Sequence, residues 1–275
     1  MELYQLIINQ AANALDEDVG SGDISAGLIG AEARLATELL VREDAVLCGR
    51  EWFDEVFRQC DDSITTHWHA GDGDRIAANS VVCEVSGPAR GLLTAERSAL
   101  NFLQTLSGTA TLTQTFADKI KHTQCKILDT RKTIPQLRIA QKYAVLCGGG
   151  SNHRIGLFDA FLIKENHLAA CGGIANAVVR ARQMHPQKFL EVEVEDLQQL
   201  QQAIDAGVDR VLLDNFSIAA MKQAVELTAR RTELEASGNI DQHQLVEVAL
   251  TGVDFISIGA LTKNLRAIDF SLRYY

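Results

Sequence analysis

Three prolines in 275 residues and no low-complexity segment leave nothing from which a disordered linker would be built, so an ordered chain is expected. No apolar run reaches membrane-spanning length. The amino terminus, MELYQLIINQ, has neither a basic leader nor a small-residue cleavage site, so export is not expected and the cytoplasm is the expected location. The six cysteines, at 48, 60, 83, 125, 147 and 171, show no Cys-x-x-Cys spacing. They read as buried or reduced thiols, neither a disulfide framework nor a zinc site. Cys147 closes a helical apolar pattern with no base set beside it by the sequence, which favours a structural thiol over a nucleophile.

The 47% hydrophobic and 23% charged content is that of a soluble globular protein, and the length suits one large domain or two with a substantial core. The formal charge is -10, yet it is unevenly spread. Between Asp129 and Lys164 stand Arg131, Lys132, Arg138, Lys142, Arg154 and Lys164 against Asp129 and Asp159, so six minus two leaves a local +4. A cationic island on an acidic chain points to a small anion and disfavours nucleic acid or a membrane. Gly148, Gly149 and Gly150 let backbone approach such a ligand, and the donors Ser151, Asn152, His153 and Arg154 follow at once.

Leu3, Leu6, Ile7, Ala11, Ala14 and Leu15 recur at helical spacing, and Asp16, Glu17 and Asp18 with the glycine turn after them read as a solvated helix exit. Residues 33 to 48 favour strands, Glu51 to Cys60 a helix, and Ile64 to Val85 short strands broken by Gly71 and Gly73. His67 and His69 share one strand face, which suits a metal, but without a third ligand nearby they read as surface histidines around an inward Trp68. After Gly87 and Pro88, Leu92 to Leu106 reads as a long helix. From Cys125 onward strand and helix alternate. Strands are expected near Lys126 to Asp129, Ala160 to Lys164, Leu190 to Val194, Arg210 to Asp214, Glu233 to Ser237 and Asp254 to Ile258. Helices are expected near Leu137 to Leu146, Ile174 to Met184, Leu197 to Ala206, Ile218 to Thr228 and Gln242 to Leu250. This is the signature of an α/β fold with a parallel sheet, and six such units are enough for closure into a barrel. The expected strand tips carry Arg131 and Lys132, Lys164, Glu193 and Glu195, Asp214, Ser237 to Asn239, and Gly259 with Ala260. In such a barrel this is the end that carries chemistry.

The segments EDVGSGDIS, TAERSALNFLQTLSGTAT, DTRKT, KYAVLCGGGSNHRIGL, LIKENH, EVEVE, LLDNF, ASGNI and GVDFISIGALT occur in this order from near one end to the other. Together they resemble the quinolinate phosphoribosyltransferase family. One departure is Gln136 after Pro135, where that family more often has glycine. The resemblance implies an N-terminal open-faced α/β sandwich over 1–108, with 265–275 packing back onto it. It also implies an incomplete or seven-stranded α/β barrel over 109–264. The implied reaction moves the phosphoribosyl group of phosphoribosyl pyrophosphate to quinolinate with decarboxylation, with Mg2+ and no organic cofactor.

For a pyridine dicarboxylate, arginine forks and a mobile lysine charge are the natural ligands. Arg131, His153, Arg154 and Lys164 are assigned to it. The resemblance implies the same set, with Thr130 among the substrate contacts and Arg97 reaching in from the other subunit of a homodimer. Lys132 would face the diphosphate, and Ser237, Gly238, Asn239, Ile258, Gly259 and Ala260 would hold the 5-phosphate through backbone amides. Glu193 and Asp214 would bind ribose hydroxyls or Mg2+ through water, and with Lys132 form the expected catalytic set. Two rivals compete with this reading. One is a Schiff-base enzyme using Lys164, which needs a desolvated lysine. The other is a non-catalytic binder with a decayed site, against which the intact GGG, NHR and KENH pattern speaks.

Overall fold

The computed structural model describes residues 3–275, which separate into two compact units. The first runs to Gln114 and takes in Ile139–Gly149 and Leu265–Tyr275, and the second holds Thr115–Arg138 and Gly150–Asn264. Helix α1 (Leu3–Val19) is followed by β1 (Arg34–Val41), β2 (Ala45–Val46), α2 (Arg50–Cys60), β3 (Thr65–Trp68), β4 (Arg75–Ile76), β5 (Val81–Pro88) and α3 (Ala89–Ile120). Then come β6 (Lys126–Leu128), α4 (Arg138–Cys147), β7 (Ala160–Ile163), α5 (Glu165–Cys171), α6 (Ile174–Met184), β8 (Phe189–Val194), α7 (Leu197–Asp205) and β9 (Arg210–Asp214). The chain closes with α8 (Ile218–Thr228), β10 (Glu233–Ser237), α9 (Leu245–Ala249), β11 (Phe255–Ser257), α10 (Ala260–Lys263) and β12 (Phe270–Tyr274).

In the first unit an antiparallel sheet of order β12-β1-β5-β3 supports a core built on α2. Trp52, Phe53, Val56 and Phe57 recur three and four apart and are buried, each removing about 1.5 to 3 kcal/mol of apolar exposure from water. The indole of Trp52 donates to Gln10 Oε1 of α1 at 2.7 Å, so its one polar atom is satisfied where water is excluded. His67 and His69 are exposed, and Trp68 between them turns in to donate to Asp54 at 2.9 Å.

The second unit is a sheet of six parallel strands in the order β6-β11-β10-β9-β8-β7. Ser151 forms a parallel bridge to Leu128 on the outer edge of β6. Alternation sorts the residues into two faces. One face is apolar and buried: Leu190, Val192 and Val194, Val211 and Leu213, Leu234 and Ala236, and Ile256. Register places Glu191, Arg210 and Glu233 in one row of the other face, and Glu193, Leu212 and Glu235 in the next. Asp214 and Ser237 follow. The tips of both edge strands, β6 and β7, line the same cavity as those of the four between them, so the sheet curls into an incomplete barrel.

Two features differ from the sequence reading. The short helices α5 and α10 arise directly after strand ends. Helix α3 is 32 residues long, where a helix over Leu92 to Leu106 was expected, and it runs on through Gly108. A Cβ on Gly108 would collide with the backbone carbonyl oxygen of Arg266 and stand 3.1 Å from its carbon. The glycine is therefore a packing contact with the returning C-terminal segment, not a helix terminator. At an exposed helix interior Gly→Ala stabilises by about 1 kcal/mol. We expect Gly108→Ala instead to destabilise by about 1 to 3 kcal/mol, as overpacking does, read from the denaturant midpoint.

Candidate active site

The C-terminal ends of the six strands surround a cavity of about 950 Å3. Thr130, Arg131 and Lys132 enter it after β6, His153 and Arg154 from the loop after Ser151, and Lys164 after β7. Glu193 comes from β8 and Asp214 from β9, Ser237, Gly238 and Asn239 from the end of β10, and Ile258, Gly259 and Ala260 from the end of β11. Residues from 130 to 260 are brought to one mouth because parallel strands all end on the same side.

Local structure fixes the positive groups. Buried Asp129 accepts from Asn152 Nδ2 at 2.6 Å and from the His153 amide at 2.9 Å, which pins the loop to the end of β6. Thr262 donates to the Lys132 carbonyl at 2.7 Å. A Cβ on Gly259 would lie 2.9 Å from Lys132 Cδ, so glycine there gives the lysine stem its path. The Nε of Arg131 is buried with no hydrogen-bond partner. Burial, and then the nearby Arg131 charge, lower the Arg154 guanidinium from its ordinary value. Two arginines near enough to repel one another, one with an orphaned donor, form a site that an anion would relieve.

The negative groups are close by. Lys164 Nζ is paired with Glu193 Oε2. Burial raises the Glu193 carboxyl, Lys164 opposes that shift and the Asp214 charge adds to it, so the two carboxylates sense one another. Asn215 donates to Asp214 Oδ2 at 3.0 Å. At the turn after β10, Gly238 has φ 112° and Asn239 φ 47°, and a Cβ on Gly238 would strike the Asn215 side chain.

At the wall of the cavity, which His153 and Glu235 line, lies an ion cluster whose members other than His153 the sequence reading did not assign. His153 Nε2 is 2.8 Å from Glu191 Oε2 and 3.4 Å from Glu235 Oε2. Arg210 reaches Glu235 at 3.5 Å and Glu233 at 2.8 Å, with its guanidinium carbon 3.9 Å from the Phe255 ring centre and 5.0 Å from that of Phe189. The signal was present in EVEVE and ELEAS: charged residues two apart on a strand must share a face, and neighbouring apolar residues occupy the other. The His153 contacts compete. Its Nδ1 lies 2.7 Å from the Arg154 amide, which suits a neutral ring, whereas two carboxylates at Nε2 favour the imidazolium. Burial alone would lower His153, but the bonds and charges of Glu191 and Glu235 outweigh it and raise it to about 9. Burial and the Glu235 charge push Glu191 up.

Some residues are not brought together here. Arg97 is exposed on α3 in the first unit and does not line the cavity. Of the six cations in the basic run, Arg138 is used structurally, donating to Thr133, Ile155 and Arg131 at 3.1 to 3.4 Å, and Lys142 is buried in the first unit. Glu195 is exposed on a separate, shallower surface with Asn215 and Ser217. Gln136 has φ 65°, a conformation that glycine adopts freely and other residues at some cost. Lys164 is ion-paired and 43% exposed, unlike the desolvated amine that Schiff-base chemistry requires.

A raised histidine pKa contributes stability that is fully present below its unfolded value near 6.5 and is lost as pH rises through about 9. We expect the His153 ring to titrate near 9 by NMR in the native chain, and markedly lower in Glu235→Gln. A His153→Asn variant should lose the part of the stability decline between pH 6.5 and 9 that His153 supplies, on the order of 3 kcal/mol.

The family described as "Quinolinate phosphoribosyl transferase, C-terminal domain" matches residues 109–273, and the corresponding N-terminal domain family matches residues 23–107. A relative named "Probable nicotinate-nucleotide pyrophosphorylase [carboxylating]" from Bacillus subtilis is 40% identical over 257 residues, 93% of this chain and 89% of that protein. The chloroplastic nicotinate-nucleotide pyrophosphorylase [carboxylating] of Arabidopsis thaliana is 39% identical over 281 residues, covering 94% and 80%. The solved nicotinate-nucleotide pyrophosphorylase of Francisella tularensis superposes with a TM-score of 0.97 at 47% identity, covering 100% of this chain and 98% of that one. With both domain families matched in order along the chain, and relatives of this identity covering most of its length, the chain belongs to the quinolinate phosphoribosyltransferase family.

Proposed function

We propose that this chain transfers the phosphoribosyl group of phosphoribosyl pyrophosphate to quinolinate and decarboxylates the product, yielding nicotinate mononucleotide, pyrophosphate and CO2 in NAD biosynthesis. The observation that carries the proposal is the convergence of Arg131, His153, Arg154 and Lys164 in one cavity with Glu193 and Asp214. Relatives named for this reaction support it.

The arginine forks would take the two quinolinate carboxylates beside His153, whose ring Glu191 and Glu235 hold in the cavity wall, and Lys164 would exchange Glu193 for a substrate carboxylate. Thr130 lines the same wall. Lys132 would neutralise the diphosphate, and backbone amides at Ser237 to Asn239 and Ile258 to Ala260 would hold the 5-phosphate. The pyridine nitrogen then attacks C1 of the ribose as the bond from C1 to the diphosphate oxygen breaks. Positive charge growing at C1 is stabilised by a nearby carboxylate, Glu193 or Asp214. The pyridinium so formed accepts the electron pair of the adjacent carboxylate as CO2 leaves, and the ring carbon takes a proton. Alignment of two bound reactants can contribute roughly 7 to 11 kcal/mol of barrier lowering.

Two carboxylates that sense one another across the cavity also fit Mg2+, which prefers oxygen ligands and keeps much of its water. Bound there with the diphosphate, it would neutralise the leaving group. No organic cofactor is needed for this chemistry. We place the enzyme in the cytoplasm. Its six cysteines carry no disulfide, as suits a reducing compartment, and among the described residues no helix is long and apolar enough to cross a membrane.

With phosphoribosyl pyrophosphate and Mg2+, the protein should release CO2 and pyrophosphate from quinolinate and leave nicotinate untouched. Turnover of nicotinate alone would point to a non-decarboxylating transferase. We further propose a homodimer in which Arg97 of each copy completes the site of the other. Arg97→Ala and Lys164→Ala should each be nearly inactive alone, and their mixture, after subunit exchange, should regain about one quarter of native activity, because random pairing restores one site in half of the dimers. No recovery in freely exchanging mixtures would place Arg97 in its own subunit's site or outside the chemistry.

A further inference from the structure

A second cluster of reactive groups lies in the first unit and has no part in the chemistry above. Cys48 is fully buried just after β2, and Cys147 is the half-buried last residue of α4. Their sulfurs and a carboxylate oxygen of Asp72 all fall within 4.8 Å of one another. The residues are 99 positions apart in the chain, so the fold has to bring them together. Gly148 shows how closely it does so. A Cβ there would collide with the Ala110 carbonyl oxygen and lie 2.6 Å from Thr113 Cβ, so only glycine lets the end of α4 sit this deep against α3.

Asp72 does not make this a metal centre. Its carboxylate already accepts from the Gly49 amide at 3.1 Å, the Arg50 amide at 3.3 Å and the Tyr143 hydroxyl at 2.9 Å, capping α2. Two thiols without a free third ligand suit covalent pairing better than tetrahedral binding.

We propose that Cys48 and Cys147 form a reversible disulfide, making this pair a thiol-oxidation site for a peroxide. Cys147 is the attacking group. The neighbouring Cys48 lowers the Cys147 thiol from its ordinary value, whereas burial pushes the Cys48 thiol up and keeps it protonated. Burial pushes Cys83 and Cys125 up to about 12 and raises Cys60. The Cys147 thiolate attacks a peroxide oxygen, the O–O bond breaks, and the hydroxide released takes up a proton to become water. The resulting sulfenic sulfur is attacked by Cys48, the S–O bond breaks, and a second water leaves with the Cys48 proton. Two thiols are oxidised by two electrons in total, and one peroxide is reduced to two waters. The sulfurs must close to about 2 Å for the bond to form.

The test treats the reduced full-length protein with graded hydrogen peroxide, alkylates it after denaturation, and maps the peptides by mass spectrometry. Peptides carrying Cys48 and Cys147 should appear joined, two alkylatable thiols should be lost first, and dithiothreitol should restore both. In Cys48→Ser, Cys147 should instead accumulate as a sulfenic acid trapped by dimedone. If that variant does not fold, the native peptide map decides alone. Overoxidation of Cys147 with Cys48 still alkylatable, preferential pairing of other cysteines, or stoichiometric zinc protecting both thiols in the isolated protein would each overturn the proposal.

Discussion

Charge buried on the inner face of a parallel sheet has to be met by its opposite, and much of the second unit follows from that requirement. Glu191 and Glu235 are buried on neighbouring rows, where an uncompensated carboxylate would cost several kcal/mol. Arg210 and His153 meet them. Arg210 does so with its guanidinium over the rings of Phe189 and Phe255. His153 does so from above, so the ion cluster also fixes one wall of the cavity. Removing either carboxylate would loosen a cavity-lining residue that it helps to hold.

Toward the mouth of the cavity the balance changes. Negative charge is still present at Glu193, Asp214 and Asp241, but Arg131, Lys132, Arg154, Lys164 and Lys263 outnumber it. The ion cluster largely satisfies its own charges, whereas the mouth has cations that repel and a buried guanidinium nitrogen without an acceptor. A fold that satisfies its charges at one level and leaves a positive surplus at the next has built a receptor for an anion. The same strands serve both purposes because each adds one inward residue to every level.

Much of this could be read in the sequence, for physical reasons. Strand tips were legible because apolar runs of four to six residues ended in charged or glycine residues, and the strand limits from β8 to β10 fell within a residue of those expected. The glycine turn at Gly238 was legible because few other residues adopt its backbone angles. Three things were hidden. Arg138 and Lys142 counted as cations of the site, yet local hydrogen bonding and burial took them elsewhere, which no charge count reveals. The role of Gly108 inside the longer α3 was hidden because its contact lies 158 residues away, at Arg266. Glu191 and Glu235 were passed over because a carboxylate inside a strand reads as solvent-facing until the sheet closes over it.

The central claim is that this positive surplus recognises two carboxylates on one ring. Calorimetric binding of quinolinate and of nicotinate, each without the sugar donor, tests it most directly. The second carboxylate should add at least about tenfold in affinity, as a charge-assisted hydrogen bond does. Equal affinity for the two acids, or tighter binding of nicotinate, would contradict the account.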